Sequence, residues 1–248
     1  GTAMLEIKDL SKRYGETVAL SGATIAFRAG TVHTILGENG SGKSTLVKLL
    51  SGIVQPDGGT VTLDGRAFSG RGPSDFQAAG FATVFQEVLI APDRTVTENI
   101  LLGLDGLVQR KVPREKRRET AAAALSRFAV TEVPLDAPAG QGPLAAQQLI
   151  VLARAVVRRP RILILDEVTP ALDYADRESV FRLMRQLAAE GSLLLFITHR
   201  MDEVMSLSDR ISILRGGKVV RSEDKGVSTP AELLKAMAPQ TAAELSHA

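Results

Sequence analysis

The stretch Gly37-Glu38-Asn39-Gly40-Ser41-Gly42-Lys43-Ser44-Thr45 decides the fold of this chain. An apolar run at 31–36 precedes it and an apolar segment at 46–50 follows it, which predicts the order strand, glycine loop, helix. The glycines leave backbone N–H groups open to a phosphate chain, and the helix N-terminus favours negative charge. In such a loop Lys43 reaches the β- and γ-phosphates, and the Ser44 hydroxyl ligates Mg²⁺. The stretch therefore predicts a site for a nucleoside triphosphate and magnesium.

Composition excludes several classes of function. The 248 residues are 44% hydrophobic, enough for one large α/β domain or a core with a smaller subdomain. Thirty basic and 28 acidic residues give a net charge of +2, so nucleic-acid binding is not expected. The absence of cysteine excludes disulfides and thiolate chemistry and fits a reducing compartment. No run approaches the length of a membrane span and no secretory leader is visible, so a membrane role is expected to need a spanning partner.

The first 30 residues predict two half-buried strands. Residues 4–10 and 23–27 alternate apolar and polar side chains, as half-buried strands do. Tyr14 and Gly15 fall in a turn between them. An aromatic side chain there can stack on a nucleobase or simply pack against its neighbours, and the residues alone leave both open. Gly1-Thr2-Ala3 before Met4 is typical of a cloning remnant.

Two adjacent carboxylates follow the strongest strand signal in the chain. The run 161–165 reads as a buried strand of a parallel sheet, and Asp166 and Glu167 close it. Ligands bind at the carboxyl ends of such strands. One carboxylate there can hold the Mg²⁺ shell, and the other can polarise a water for attack on the γ-phosphate. A helix-capping acidic pair is the alternative, which the phosphate loop upstream disfavours.

Two further strands end in polar side chains. Residues 80–85 lead to Gln86, and the buried run 193–198 ends at His199. A lone histidine is usually structural, but one at the exit of a buried strand beside a phosphate site favours a functional role.

The middle of the chain is predicted to be mostly helical. Helical patterns occupy 96–104, 115–128 and 144–158, and we expect a second subdomain there. A basic cluster comprises Arg110, Lys111 and the segment 114–118. An anionic partner would suit it, but the interleaved Glu115 and Glu119 favour a solvated helix face. Further along we predict a helix from about Asp176, a hairpin around Gly216-Gly217, a short helix from Thr229 and a polar tail at 239–248.

In this order, the motifs resemble those of ATP-binding-cassette domains, the motor subunits of ABC transporters. The resemblance runs from Met4 to about Met237 and implies an α/β P-loop NTPase core: a mixed, mainly parallel sheet flanked by helices, with an N-terminal antiparallel β subdomain. It also implies one domain over 4–238, with a helical subdomain inserted at about 88–159, and ATP and Mg²⁺ as cofactors. For the nucleotide, the resemblance implies that Tyr14 stacks on the adenine, that residues 37–45 form the phosphate loop and that His199 senses the γ-phosphate. For the metal and the attacking water, it implies Gln86 as the glutamine lid at the metal, Asp166 in the Mg²⁺ shell and Glu167 as the catalytic glutamate. It also implies that Ala171-Leu172-Asp173 is the dimer-contacting loop.

Four segments are similar in sequence to the ATPases of monosaccharide importers of the ribose, galactose and xylose kind. They are the phosphate loop at 37–45 and the segments 85–87, 97–103 and 197–204. This similarity implies a second cassette, a transmembrane permease and, indirectly, a solute-binding protein as partners. It implies a cytoplasmic, peripheral location on the inner face of the membrane. Because such importers usually carry two cassettes in one polypeptide, we expect the chain to be an amino-terminal half, with a single-cassette subunit as the alternative.

One motif departs from the family. Its signature, Leu-Ser-Gly-Gly-Gln, aligns with Gly142-Pro143-Leu144-Ala145-Ala146, where no residue matches. The serine hydroxyl is lost, Pro143 offers no N–H, and both glycines are replaced. We therefore predict an asymmetric pair in which this chain binds MgATP but hydrolyses it slowly without a partner's signature. A decayed loop without consequence is the alternative interpretation.

Other functions share the phosphate-site motifs. A soluble cassette ATPase of translation or DNA repair, and a nucleotide-binding regulatory module that hydrolyses little, are the main alternatives. A small-molecule kinase is a remote one, because no motif for an acceptor substrate is visible.

Overall fold

The computed structural model describes residues 3–104 and 113–239, so Arg110 and Lys111 of the basic cluster lie outside the described residues, as does most of the predicted tail. The chain forms two β-sheets and a set of surrounding helices. The strands are β1 (Leu5–Tyr14), β2 (Thr17–Phe27), β3 (Val32–Leu36), β4 (Gly58–Leu63), β5 (Arg66–Ala67), β6 (Phe81–Val84), β7 (Ile162–Asp166), β8 (Leu193–Thr198), β9 (Arg210–Arg215) and β10 (Lys218–Asp224). The helices are α1 (Lys43–Leu50), α2 (Pro73–Ala78), α3 (Val96–Ile100), α4 (Arg114–Ser126), α5 (Leu144–Val157), α6 (Tyr174–Ala189), α7 (Met201–Leu207) and α8 (Pro230–Met237).

The central sheet has six strands in the order β10-β9-β3-β8-β7-β6. Five are parallel to one another, and only the edge strand β10 runs antiparallel to its neighbour. Every residue of β3, β7 and β8 is buried, which explains why β7 and β8 are almost wholly apolar; β3 also buries His33 and Thr34. Their carboxyl ends meet at one edge, where Leu36 lies beside Thr198 and Asp166 beside Ile197. This edge brings the phosphate loop, the two carboxylates and His199 together.

The second sheet is antiparallel, in the order β2-β1-β4-β5. Its apolar face packs on α1 and on the central sheet, since Leu5, Leu46 and Ile164 belong to one buried cluster. The strand β1 is longer than its pattern indicates and continues to Tyr14, which pairs with Thr17 across a tight turn at Gly15. Tyr14 therefore ends a strand and does not lie in the turn predicted for it.

Helices α3, α4 and α5 pack together in the segment expected to form a helical subdomain. Ile100, Ala121 and Leu149, one from each helix, lie in the cluster that also contains Leu165 of the central sheet. Helix α3 ends at Ile100 and is shorter than the predicted helix at 96–104. Gly103, with a φ of +79°, could not have continued it. Two short helices, α2 and α7, are not anticipated by the helical patterns. Among the helices of residues 3–104 and 113–239, none is both long and apolar enough to cross a bilayer.

Candidate active site

The phosphate loop joins β3 to α1 in a conformation that requires glycine. Gly40 and Gly42 have φ values of +81° and +110°, and a Cβ on Gly42 would lie 3.0 Å from the carbonyl oxygen of Ala19. No side chain caps the N-terminus of α1, so the N–H groups of its first turn remain available to an anion. Ser44 is exposed in that turn, while Ser41 and Lys43 are buried.

A cleft of about 520 Å³ opens in front of this loop. Residues from the phosphate loop, from β2, from the ends of β6 and β7 and from the β9–β10 turn line it: Thr17, Val18, Ala19, Asn39, Gly40, Gly42, Lys43, Ser44, Thr45, Gln86, Asp166, Glu167, Gly216 and Gly217. The predicted residues Lys43, Ser44, Gln86, Asp166 and Glu167 are therefore brought together. Gly37, Glu38 and Ser41 belong to the same loop but do not line this cleft.

Glu167 is the centre of the polar contacts. Its Oε1 accepts a hydrogen bond from Lys43 Nζ at 2.7 Å and lies 3.1 Å from Nδ1 of His199. The side chains of Lys43 and Glu167 are only 7% and 8% exposed. Burial alone would raise the pKa of Glu167, but the hydrogen bonds and charges of Lys43 and His199 outweigh it and lower that pKa. Glu167 itself adopts a φ of +49°, which is a strained value for a residue other than glycine. Its carboxylate faces Lys43 of the phosphate loop.

Asp166 has the opposite electrostatic environment. Burial and the neighbouring Glu167 charge raise its pKa to about 6, against weaker opposing effects of Lys43 and of a hydrogen bond from the Gln86 backbone N–H. The charged form of this carboxylate is thus disfavoured by its surroundings. Its oxygens, the Ser44 hydroxyl and the Gln86 amide line one cleft, and such hard oxygen donors suit Mg²⁺, which takes the rest of its shell from phosphate and water.

The raised pKa predicts a pH-dependent gain in stability for Asp166→Asn. The folded pKa lies above the ordinary value, so ionising Asp166 destabilises the folded state, fully above pH 6 and not at all well below pH 4. In urea unfolding without nucleotide or divalent metal, we expect the variant to be more stable by about 2 kcal/mol at pH 7.5, with the gain vanishing towards pH 4. An equal difference at both pH values would contradict the assignment.

Two features of the cleft are not evident from the sequence. Thr17, Val18 and Ala19 form one wall, and the Gly216-Gly217 turn forms another, although its glycines predict only a hairpin. A Cβ on Gly217 would lie 2.9 Å from Ala19 O, which shows how closely the two walls approach. Tyr14 does not line this cleft. It is 45% exposed, with Lys12 Nζ 5.5 Å from the centre of its ring.

The predicted signature position lies apart from the chain's own cleft. Pro143 occupies the N-cap of α5, no side chain caps that helix, and Leu144 is 58% exposed. None of residues 142–146 lines the phosphate cleft. Ala171 ends a short 3₁₀ turn, and Asp173 caps α6 through a hydrogen bond from Asp176 N to its Oδ1.

Comparison with known proteins fits this geometry. The family model described as ABC transporter matches residues 20–170. The chain belongs to the ABC transporter family. This ABC domain is 39% identical over 234 residues to the ribose import ATP-binding protein RbsA 1 of Rhizobium johnstonii, covering 94% of the chain and 46% of that protein. It is 38% identical over 246 residues to RbsA of Yersinia pestis, covering 98% and 48%. The chain spans about half the length of the curated relatives that it matches.

Solved structures confirm the predicted fold class. The dimeric ATP-binding cassette MJ0796 in a post-hydrolysis state with ADP and Pi superposes with a TM-score of 0.81 at 28% identity, covering 89% of the ABC domain and 98% of that chain. A nucleotide-free cassette from an ABC transporter gives 0.80 at 25% identity, covering 95% of both chains. The core sheet, the antiparallel sheet and the intervening helices of the ABC domain thus form a cassette fold.

Proposed function

We propose that this ABC domain binds and hydrolyses MgATP to power solute import through a membrane permease, with a sugar as the solute. One observation carries the proposal. The Glu167 carboxylate meets both Lys43 of the phosphate loop and His199 at the carboxyl edge of the central sheet. A carboxylate at this position can polarise a water beside the γ-phosphate. The Lys43 ammonium that pairs with it is the group that would bind the phosphates.

Each residue of the site has its own role in binding or hydrolysis. The loop N–H groups and Lys43 would hold the phosphates, while Ser44, Asp166 and Gln86 would hold Mg²⁺. The ion would neutralise phosphate charge as it builds up during the reaction. Arrival of the phosphates draws Lys43 away from Glu167, so the carboxylate becomes free to orient water and accept its proton. His199 contacts the γ-phosphate, and Tyr14 stacks on the adenine beyond the cleft.

The partners follow from the relatives, which are named ribose import ATP-binding proteins. We infer a second cassette, a permease and, indirectly, a solute-binding protein, with the domain held at the inner face of the membrane. The domain spans 4–238, with its helical subdomain at about 88–159.

The signature position supports an asymmetric pair. A signature that binds a phosphate adds a hydroxyl donor and the close backbone approach of glycine to the free N–H groups of a helix N-terminus. At α5 the N-cap is Pro143, which has neither a hydroxyl nor an N–H, and Leu144 and Ala145 follow it in place of glycines. The partner's ATP therefore faces a weak signature, whereas this chain's own cleft needs a competent signature from the partner.

The test is MgATP binding by calorimetry and steady-state phosphate release on the purified chain at high concentration. We expect binding together with slow turnover. Absence of MgATP binding would contradict the phosphate site. Turnover as fast as that of an intact cassette homodimer, abolished by Glu167→Gln, would contradict the asymmetric pair.

Restoring the signature should raise the rate of ATP hydrolysis. The triple variant Pro143→Ser, Leu144→Gly, Ala145→Gly returns a hydroxyl and close backbone approach to the start of α5. We expect turnover per site to rise by at least about 10-fold, because donors aimed at transferred phosphate have effects of this size. The matched control carries the same three changes with Glu167→Gln and should stay inactive. No increase over the parent chain would count against a role for this loop.

A further inference from the structure

A buried hydrogen-bond bridge spans the backbone that carries His199. Strand β8 ends at Thr198, and helix α7 begins three residues later, at Met201. The Thr198 hydroxyl donates to Glu203 Oε1 at 2.8 Å and accepts from the Arg200 backbone N–H at 3.0 Å. Thr198 is 2% exposed and Glu203 is 1% exposed. The bridge therefore ties the strand end, the turn after His199 and the first turns of α7 into one unit.

The burial of Glu203 is costly for the fold. Its second carboxylate oxygen, Oε2, is buried, and no hydrogen-bond partner for it is found among the described residues. A folded chain is less stable with a buried carboxyl whose oxygen has no partner than with a well-packed apolar side chain at the same position. The next residue on the same helix, Val204, belongs to a buried apolar cluster with Leu36 and Ile213. Fold stability alone does not account for a glutamate at this position.

His199 depends on its backbone for its position. Its side chain is 47% exposed, so packing holds the ring weakly, yet its Nδ1 lies 3.1 Å from Glu167 Oε1. Rotation of the backbone on either side of His199 would therefore move the ring. Misplacement of about 1 Å in a catalytic contact can cost about 100-fold in rate.

We propose that Glu203, acting through Thr198, is a positioning residue that holds His199 against Glu167 and the γ-phosphate. The proposal rests on the proposed hydrolysis of MgATP. Neither residue touches the reacting atoms.

Thr198→Val and Thr198→Ser form the matched pair for the test, because valine keeps the shape and serine keeps the hydroxyl. Glu203→Leu and Glu203→Gln form a second pair, in which glutamine keeps an acceptor oxygen. In single-turnover hydrolysis we expect Thr198→Val and Glu203→Leu to slow the chemical step by about 10-fold with an unchanged Kd for MgATP. The serine and glutamine variants should stay within about 2-fold. Glu203→Leu should be at least as stable to urea as the parent chain, which a merely structural role does not allow.

A double-mutant cycle and a spectroscopic readout decide the mechanism. In a His199→Ala background, Thr198→Val should cause no further loss of rate. The chain has three histidines, so ¹⁵N imidazole spectra can isolate the His199 signal, which should shift in Thr198→Val and not in Thr198→Ser. Additive rate losses, or an unmoved His199 signal, would overturn the positioning role. If His199→Ala leaves hydrolysis unchanged, the proposed function of His199 fails instead, and the imidazole signal alone decides whether Thr198 positions the ring.

Discussion

Glu167→Gln is expected to lower ATP turnover by about 100- to 1,000-fold, because an amide cannot take the proton of the attacking water. The substitution keeps the size of the side chain and removes its charge. Loss of a general base has effects of this magnitude in many enzymes. Turnover above about a tenth of the parent rate would mean that another group acts as the base.

The same substitution is expected to tighten MgATP binding by about 3- to 30-fold. The Lys43 ammonium is paired with Glu167, both side chains are less than a tenth exposed, and incoming phosphates must break this pair. Glu167→Gln leaves Lys43 without its counter-charge, so the incoming phosphates gain more. Calorimetric titration with MgATP measures the change. Glu190→Gln, an exposed position at the end of α6, is the control and should bind as the parent does.

Asp176→Ala is expected to reduce the free energy of unfolding by about 3 kcal/mol. Asp176 is fully buried near the start of α6. Its carboxylate accepts hydrogen bonds from Val130 N at 2.9 Å, from Thr131 N at 3.1 Å and from the Thr131 hydroxyl at 2.6 Å. Alanine leaves all three donors without their acceptor, which costs more than the bonds themselves are worth. Urea unfolding at pH 7.5 measures the loss, and Asp93→Ala, an exposed carboxylate, should change stability by less than about 0.5 kcal/mol.

The loss should also depend on pH. Burial would raise the pKa of Asp176, but the hydrogen bonds from Thr131 and Val130 prevail and lower it. A lowered folded-state pKa gives stability that is present above the ordinary carboxyl pKa and disappears as pH falls through the folded value. The difference between Asp176→Ala and the parent should therefore narrow below about pH 4. A constant difference down to pH 3 would show that packing, and not the ionised carboxylate, sets the effect.

Local patterns predicted the parts of the site that lie on buried strands. The apolar runs that become β7 and β8 fix the register of Asp166 and His199, because a strand covered on both faces admits few polar residues. The phosphate loop is predictable because only glycine meets its backbone demands.

Long-range contacts were not predictable from local patterns. The β9–β10 turn approaches β2 only after the sheets assemble. A local sequence pattern therefore cannot predict that Gly216 and Gly217 line the cleft. Glu203 sits in an acidic segment that reads as exposed, and its burial depends on the packing of α7 against the central sheet. Short helices such as α2, with Phe76 as its one buried residue, carry too few apolar positions to show a period.

A mixing experiment tests the asymmetric pair most directly. The parent chain is combined with a copy that carries the restored signature, Pro143→Ser with Leu144→Gly and Ala145→Gly, together with Glu167→Gln. In a mixed dimer only the parent cleft can hydrolyse ATP, and it faces the restored signature. We expect single-turnover hydrolysis to rise by at least about 10-fold over either protein alone. A mixture no faster than the parent chain by itself would contradict the dependence of this cleft on a partner's signature.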